Sequence, residues 1–89
     1  MKSLEDLRLE IDKIDKEMVT LFEKRMEIVS QVGLIKEKNK ISVLDSKREE
    51  RVVEKNISYL DNKELIGYLK EFYKTIMDLS KDYQKVKRG

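Results

Sequence analysis

Apolar residues recur at steps of three and four from Leu4 to Ile35, through Leu7, Ile11, Ile14, Met18, Leu21, Ile28 and Val32. Arg25 is the single charged position in the series. Such steps place all of these side chains along one narrow seam of an α-helix. Ser3 supplies an N-cap, and nothing arrests the helix before "KNKIS", so a helix is predicted over about residues 4 to 38. At ~1.5 Å per residue it is roughly 50 Å long, whereas a compact domain of this chain length has a radius of gyration of only about 12 Å. The remaining residues cannot cover such a seam, and the expectation is an intertwined two-fold homodimer.

The rest of the chain extends the all-α reading. It has no Pro, only three Gly, and 43% charged residues of both signs, which suits long solvated helices. The segment "SKREERVVEKNISYL" predicts a second helix over about residues 46 to 59, with Ser46 and Glu49 in the spacing of a capping box. "LDNKEL" carries another start signal, with Asp61 as N-cap and Glu64 three positions later. A third helix follows over about residues 62 to 85, with Leu65, Leu69, Phe72, Ile76, Leu79 and Tyr83 as its apolar stripe. No repeat or Pro/Gly/Ser-rich linker divides the chain, so residues 1–89 read as a single domain of three helices with a long first helix.

Several function classes are excluded by residue type. His and Cys are both absent, which removes imidazole and thiolate metal sites, Cys nucleophiles, Ser-His triads and disulfides. No metal and no cofactor are expected, and chemistry must use Lys, Arg, carboxylates, amides or hydroxyls. A net charge of +2 is too small to indicate a nucleic-acid partner. Lys81, Lys85, Lys87 and Arg88 therefore read first as cations at a helix C-terminus. The N-terminus is charged throughout and no run approaches membrane-spanning length, so no membrane partner and a soluble, cytoplasmic protein are expected.

Individual positions then raise alternatives. Arg25 in the seam needs either a carboxylate partner or an anionic ligand, because a buried unpaired guanidinium is costly. Lys36 follows eleven residues later, about three turns along, so the two cations share nearly one face and suit the two ends of a small anion. Arg8 lies ~42 Å from Lys36 along the same helix, so if it serves that site it must come from another subunit. Ser80 and Gln84, at i and i+4 behind Tyr73 and Met77, form either a polar margin of the core or part of a site. In "VLDSKREE", Asp45, Arg48 and Glu49 either open a helix or flank a pocket as well. Gly33 marks a close helix contact or nothing at all.

Together, "LRLEIDKID", "FEKRMEIVSQVGLIK", "LDSKREE" and "MDLSKDYQ" resemble, in order and spacing, the all-helical chorismate mutases over nearly the whole chain. The resemblance implies a dimer of three-helix chains with two identical sites, each completed across the two-fold. It implies that Arg8 of the other chain and Arg25 bind carboxylates of chorismate, with Ser80 near a carboxylate, and that Lys36 and Gln84 hydrogen-bond the ether oxygen. Asp45 and Glu49 would flank the C4 hydroxyl, with the Asp45 backbone a candidate for that contact, and Arg48 would organise charge beside them. Lys36, Gln84 and Arg25 are the expected catalytic residues for conversion of chorismate to prephenate. In this family the domain also occurs fused to other shikimate-pathway enzymes. The rival expectations are an isochorismate pyruvate lyase of the same fold and a non-enzymatic helical dimerisation module.

Overall fold

The computed structural model describes residues 1–88, which form three helices in the order α1 (Leu4–Lys38), α2 (Ser46–Ile57) and α3 (Ile66–Arg88). One 3₁₀ turn, Lys63–Leu65, leads into α3. The all-α expectation and the span of the long helix both hold. Ser3 Oγ accepts from the Asp6 N–H and Asp6 Oδ2 accepts from the Ser3 N–H, each at 3.1 Å, so two otherwise unpaired donors at the start of α1 are satisfied reciprocally. Among the described residues no helix is long and apolar enough to cross a membrane.

The end of α1 is built by a reversal that the sequence did not announce. Asn39 caps the helix and Lys40 adopts a left-handed backbone, φ 57°. The Lys40 N–H then donates to Glu37 O at 3.1 Å and the Ile41 N–H to Lys36 O at 2.7 Å, the paired bonds of a Schellman motif. The chain is turned back across the last turn of α1, and Val43 becomes, among the described residues, the one buried apolar side chain.

α2 starts at Ser46 as expected and α3 at Ile66 rather than about residue 62, and two caps differ from the expected ones. The N-cap of α2 is Asp45, whose Oδ1 accepts from the Arg48 N–H at 3.0 Å, and Ser46 is already helical. Asp45 and Ser46 both offer a capping oxygen, and the carboxylate gains more from the helix N-terminus. Asn62, not Asp61, caps the next segment, accepting from the Glu64 N–H at 3.0 Å. α2 stops two residues before the expected boundary and α3 runs on to Arg88.

The inward line of α3 lies along one edge of the expected stripe, of which Leu69, Ile76 and Tyr83 are half-buried and Leu65, Phe72 and Leu79 stay exposed. Phe72 and Leu79 remain 45% and 47% exposed, while Tyr73, Met77, Ser80 and Gln84 turn inward. The α1–α3 crossing lies at the C-terminal half of both helices, where Arg25 meets Ser80 and Gly33 meets Gln84. Gly33 is the one buried residue of α1. A single chain is extended, 56 × 25 × 15 Å with a radius of gyration of 16.3 Å, and its seam is open, with Leu4, Ile11, Leu21 and Ile28 all more than half exposed. In that form the apolar seam of α1 faces water, which disfavours it by the cost of exposed apolar surface.

Candidate active site

A cavity of about 300 Å³ opens where the C-terminal half of α1, the start of α2 and the end of α3 converge. It lies at the low end of volumes that enclose small metabolites. Arg25 and Lys36 project into it from α1, Asp45, Arg48 and Glu49 from the start of α2, and Ser80 and Gln84 from α3. Seven of the eight residues singled out in the sequence thus line one cavity. Arg8 does not: it is exposed near the other end of α1, ~42 Å away along the helix. Val29, Val32, Val43, Val52 and Met77 supply apolar wall between the polar groups.

Each polar side chain is held by a local device. Arg25 Nη1 donates to Ser80 Oγ at 2.6 Å, and that hydroxyl in turn donates to Ile76 O one turn earlier on α3. Arg25 therefore has a neutral partner and keeps its full positive charge for an anion. Lys36 Nζ donates to Val43 O at 3.1 Å, so the reversal that ends α1 also orients this ammonium. Arg88 fastens the same reversal from the end of α3, with Nε donating to Gly33 O at 3.2 Å and Nη2 to Ile41 O at 2.9 Å. Asp45 spends a side-chain oxygen as the cap of α2.

Gln84 is only 7% exposed, and its Oε1 is the one buried side-chain polar atom among the described residues without a hydrogen-bond partner. Leaving such an acceptor unpaired costs roughly 1–3 kcal/mol, and only a hydrogen-bond donor can offset it.

Lys81 also lines the cavity, although its sequence position reads as one more C-terminal cation. Its Nζ lies 3.1 Å from Glu49 Oε1 and 3.4 Å from Asp78 Oδ1. The hydrogen bond to Glu49 holds the ammonium above the ordinary lysine value, against a smaller opposing effect of desolvation. The pairing joins α2 to α3, so no local pattern revealed it. The lining carries four cations, Arg25, Lys36, Arg48 and Lys81, against the carboxylates Asp45 and Glu49. The excess of two positive charges suits a small dianion.

Fold and cavity define an all-α domain with a cation-rich cavity and no imidazole or thiol among its residues. The family model of chorismate mutase type II matches residues 7–85. Over 49 residues the chain is 47% identical to the T-protein of Haemophilus influenzae, a match covering 55% of this chain and 13% of that one. Over 67 residues it is 36% identical to the bifunctional chorismate mutase/prephenate dehydratase of Aquifex aeolicus, covering 75% of this chain and 18% of that protein. A solved structure of a conserved hypothetical protein from Pyrococcus furiosus superposes with a TM-score of 0.77 at 36% identity, covering 94% of this chain and 97% of that one. The chain belongs to the chorismate mutase type II family, and its matches span less than a fifth of the length of these two curated relatives.

Proposed function

We propose that this chain converts chorismate to prephenate for aromatic amino-acid biosynthesis, in a cytoplasmic homodimer whose two sites each combine residues of both chains. The reaction is a pericyclic rearrangement in which a C–O bond breaks as a C–C bond forms. It needs no base or nucleophile. Catalysis then comes from holding the folded conformer and stabilising negative charge that grows on the ether oxygen. The reading is carried by one observation: Lys36 and Gln84 stand at the same cavity as Arg25, the last an arginine whose only close partner among the described residues is a neutral hydroxyl.

In this reading Arg25 takes one carboxylate of chorismate, with Ser80 beside it, and Arg8 of the second chain takes the other. Lys36 and Gln84 donate to the ether oxygen. Glu49 and Asp45 face the C4 hydroxyl, and Arg48 balances their charge. The open seam of α1 supports the dimer, because pairing two such helices removes the apolar stripe from water. Arg25 at a seam position and the buried Gln84 weigh against a module that only dimerises, since such a module gains nothing from either.

Incubation with chorismate and identification of the product tests the assignment. Prephenate is expected. Turnover of isochorismate to salicylate and pyruvate, with chorismate untouched, identifies the lyase instead, and no turnover of either leaves the dimerisation module.

A further inference from the structure

The ion pair between Lys81 and Glu49 crosses from α3 to α2 at the rim of the cavity. Both side chains keep 25% of their exposure, so the pair is partly shielded from water. Asp78, one turn before Lys81 on the same helix, holds the ammonium from its other side at 3.4 Å. Glu49 sits in the first turn of α2, a helix with no fully buried residue of its own. Its carboxylate is thus fixed by a neighbouring helix rather than by packing. Arg48, the adjacent cation, lines the same cavity.

We infer that Lys81 is a positioning residue of this site, clamping one oxygen of Glu49 so that the carboxylate is presented to the hydroxyl-bearing side of the substrate. The inference rests on the chorismate reading above. It gives Lys81 two effects on the reaction. It fixes the direction of a flexible acceptor before substrate arrives, and it offsets the charge of a carboxylate in a cavity that must admit a dianion. A tether that merely joined α2 to α3 would have neither effect.

A double-mutant cycle separates these roles, measured both as kcat/KM with chorismate and as prephenate affinity by calorimetry. Lys81→Met is expected to lower kcat/KM about tenfold, within the range of couplings found for residues in contact. Lys81→Arg, which keeps the charge, should stay within about threefold of wild type. In the Glu49→Gln background, Lys81→Met should change either quantity by less than about twofold, because the group it positions is gone. Lys81→Gln serves in place of Lys81→Met should the latter fold poorly. Equal effects of Lys81→Met in both backgrounds, or loss of stability with unchanged kcat/KM, overturn the inference alone. A wild-type protein that leaves chorismate unchanged overturns the functional reading, and this inference with it.

Discussion

A Cβ placed on Gly33 would stand 3.0 Å from both Cβ and Cγ of Gln84 and 3.2 Å from its Cα. The glycine near the C-terminal end of α1 therefore lets α3 approach closely enough to bring Gln84 to the cavity. Gly33→Ala removes that approach, and because one clash is with backbone, a rotamer change cannot relieve it. Helix propensity gains about 1 kcal/mol from the alanine, while overpacking costs about 1–3 kcal/mol. Stability measured in urea should thus change little or fall modestly, whereas kcat should drop at least about tenfold as Gln84 moves. A fully active Gly33→Ala protein would show that the close approach is not needed for catalysis.

Gln84 donates through an amide and has no proton to lose, so a wild-type kcat nearly flat from about pH 5 to 8 is expected. Gln84→Glu should lose activity as pH rises, since only a protonated carboxyl can donate to the ether oxygen. Lys36→Ala should lower kcat by about 10² or more, the order found when one preorganised donor is removed. Measuring kcat against pH for the three proteins decides it. A steep wild-type profile, or a Glu variant equally active at both ends of the range, rules out the assigned roles.

Lys40 holds a left-handed backbone at φ 57°, which costs a residue with a Cβ roughly 1–2 kcal/mol. Lys40→Gly should therefore raise stability by about 0.5–1 kcal/mol, part of the relief being lost to the freer unfolded chain. Its side chain does not line the cavity, so kcat should be unchanged. Urea unfolding and steady-state kinetics check both halves, and a destabilised variant would contradict the strain argument.

Lys81 faces Glu49 on α2 and Asp78 on its own helix, and the cations Arg25, Lys36 and Arg48 line the same cavity. The pairing raises its folded-state value above the ordinary 10.5. A raised value means stabilisation that is fully present below the unfolded value and is lost as pH climbs through the folded one. The difference in urea midpoint between wild type and Lys81→Met should accordingly be constant from about pH 7 to 9 and shrink above about pH 10.5. A gap that persists undiminished well above that range would mean the charge is not what stabilises.

Much of the fold was legible because α1 announces itself. An unbroken seam, a good N-cap and the absence of breakers leave one solution over residues 4–38, and the same seam is what motivates the proposed dimer. The caps of α2 and of the 3₁₀ turn before α3 were legible only to within a residue, and α3 itself begins at Ile66, four residues past the expected start. Ser46 and Glu49 satisfy a capping-box pattern, but Asp45 stands one position earlier with a better acceptor, and Glu49 is drawn away toward Lys81. The inward edge of the α3 stripe escaped detection for a different reason: the helix has apolar side chains on adjoining faces, and which one turns inward depends on where α1 crosses it.

Within the candidate site, residue types at helical spacing picked out Arg25, Ser80 and Gln84 as oddities on or beside apolar faces, and Lys36 by its three-turn spacing from Arg25. Their convergence was supplied by the family resemblance. Lys81 and Arg88 were hidden, since both sit in a run of cations at the end of α3 that a helix dipole explains equally well. Their partners, Glu49 for one and the Gly33 and Ile41 carbonyls for the other, are distant in sequence. Contacts of that kind leave no periodic trace.

The central claim is that one cavity, to which a single chain brings seven of the eight candidate residues, becomes an active site only when a second chain brings Arg8. Arg8→Ala and Lys36→Ala proteins, each folded and each nearly inactive, test it when unfolded together and refolded as an equimolar mixture. Half of the dimers are then mixed, and each mixed dimer holds one site with both changes and one with neither. About a quarter of the wild-type rate of prephenate formation should return. Mixed dimers, verified by different mass tags, that form no prephenate would contradict the account.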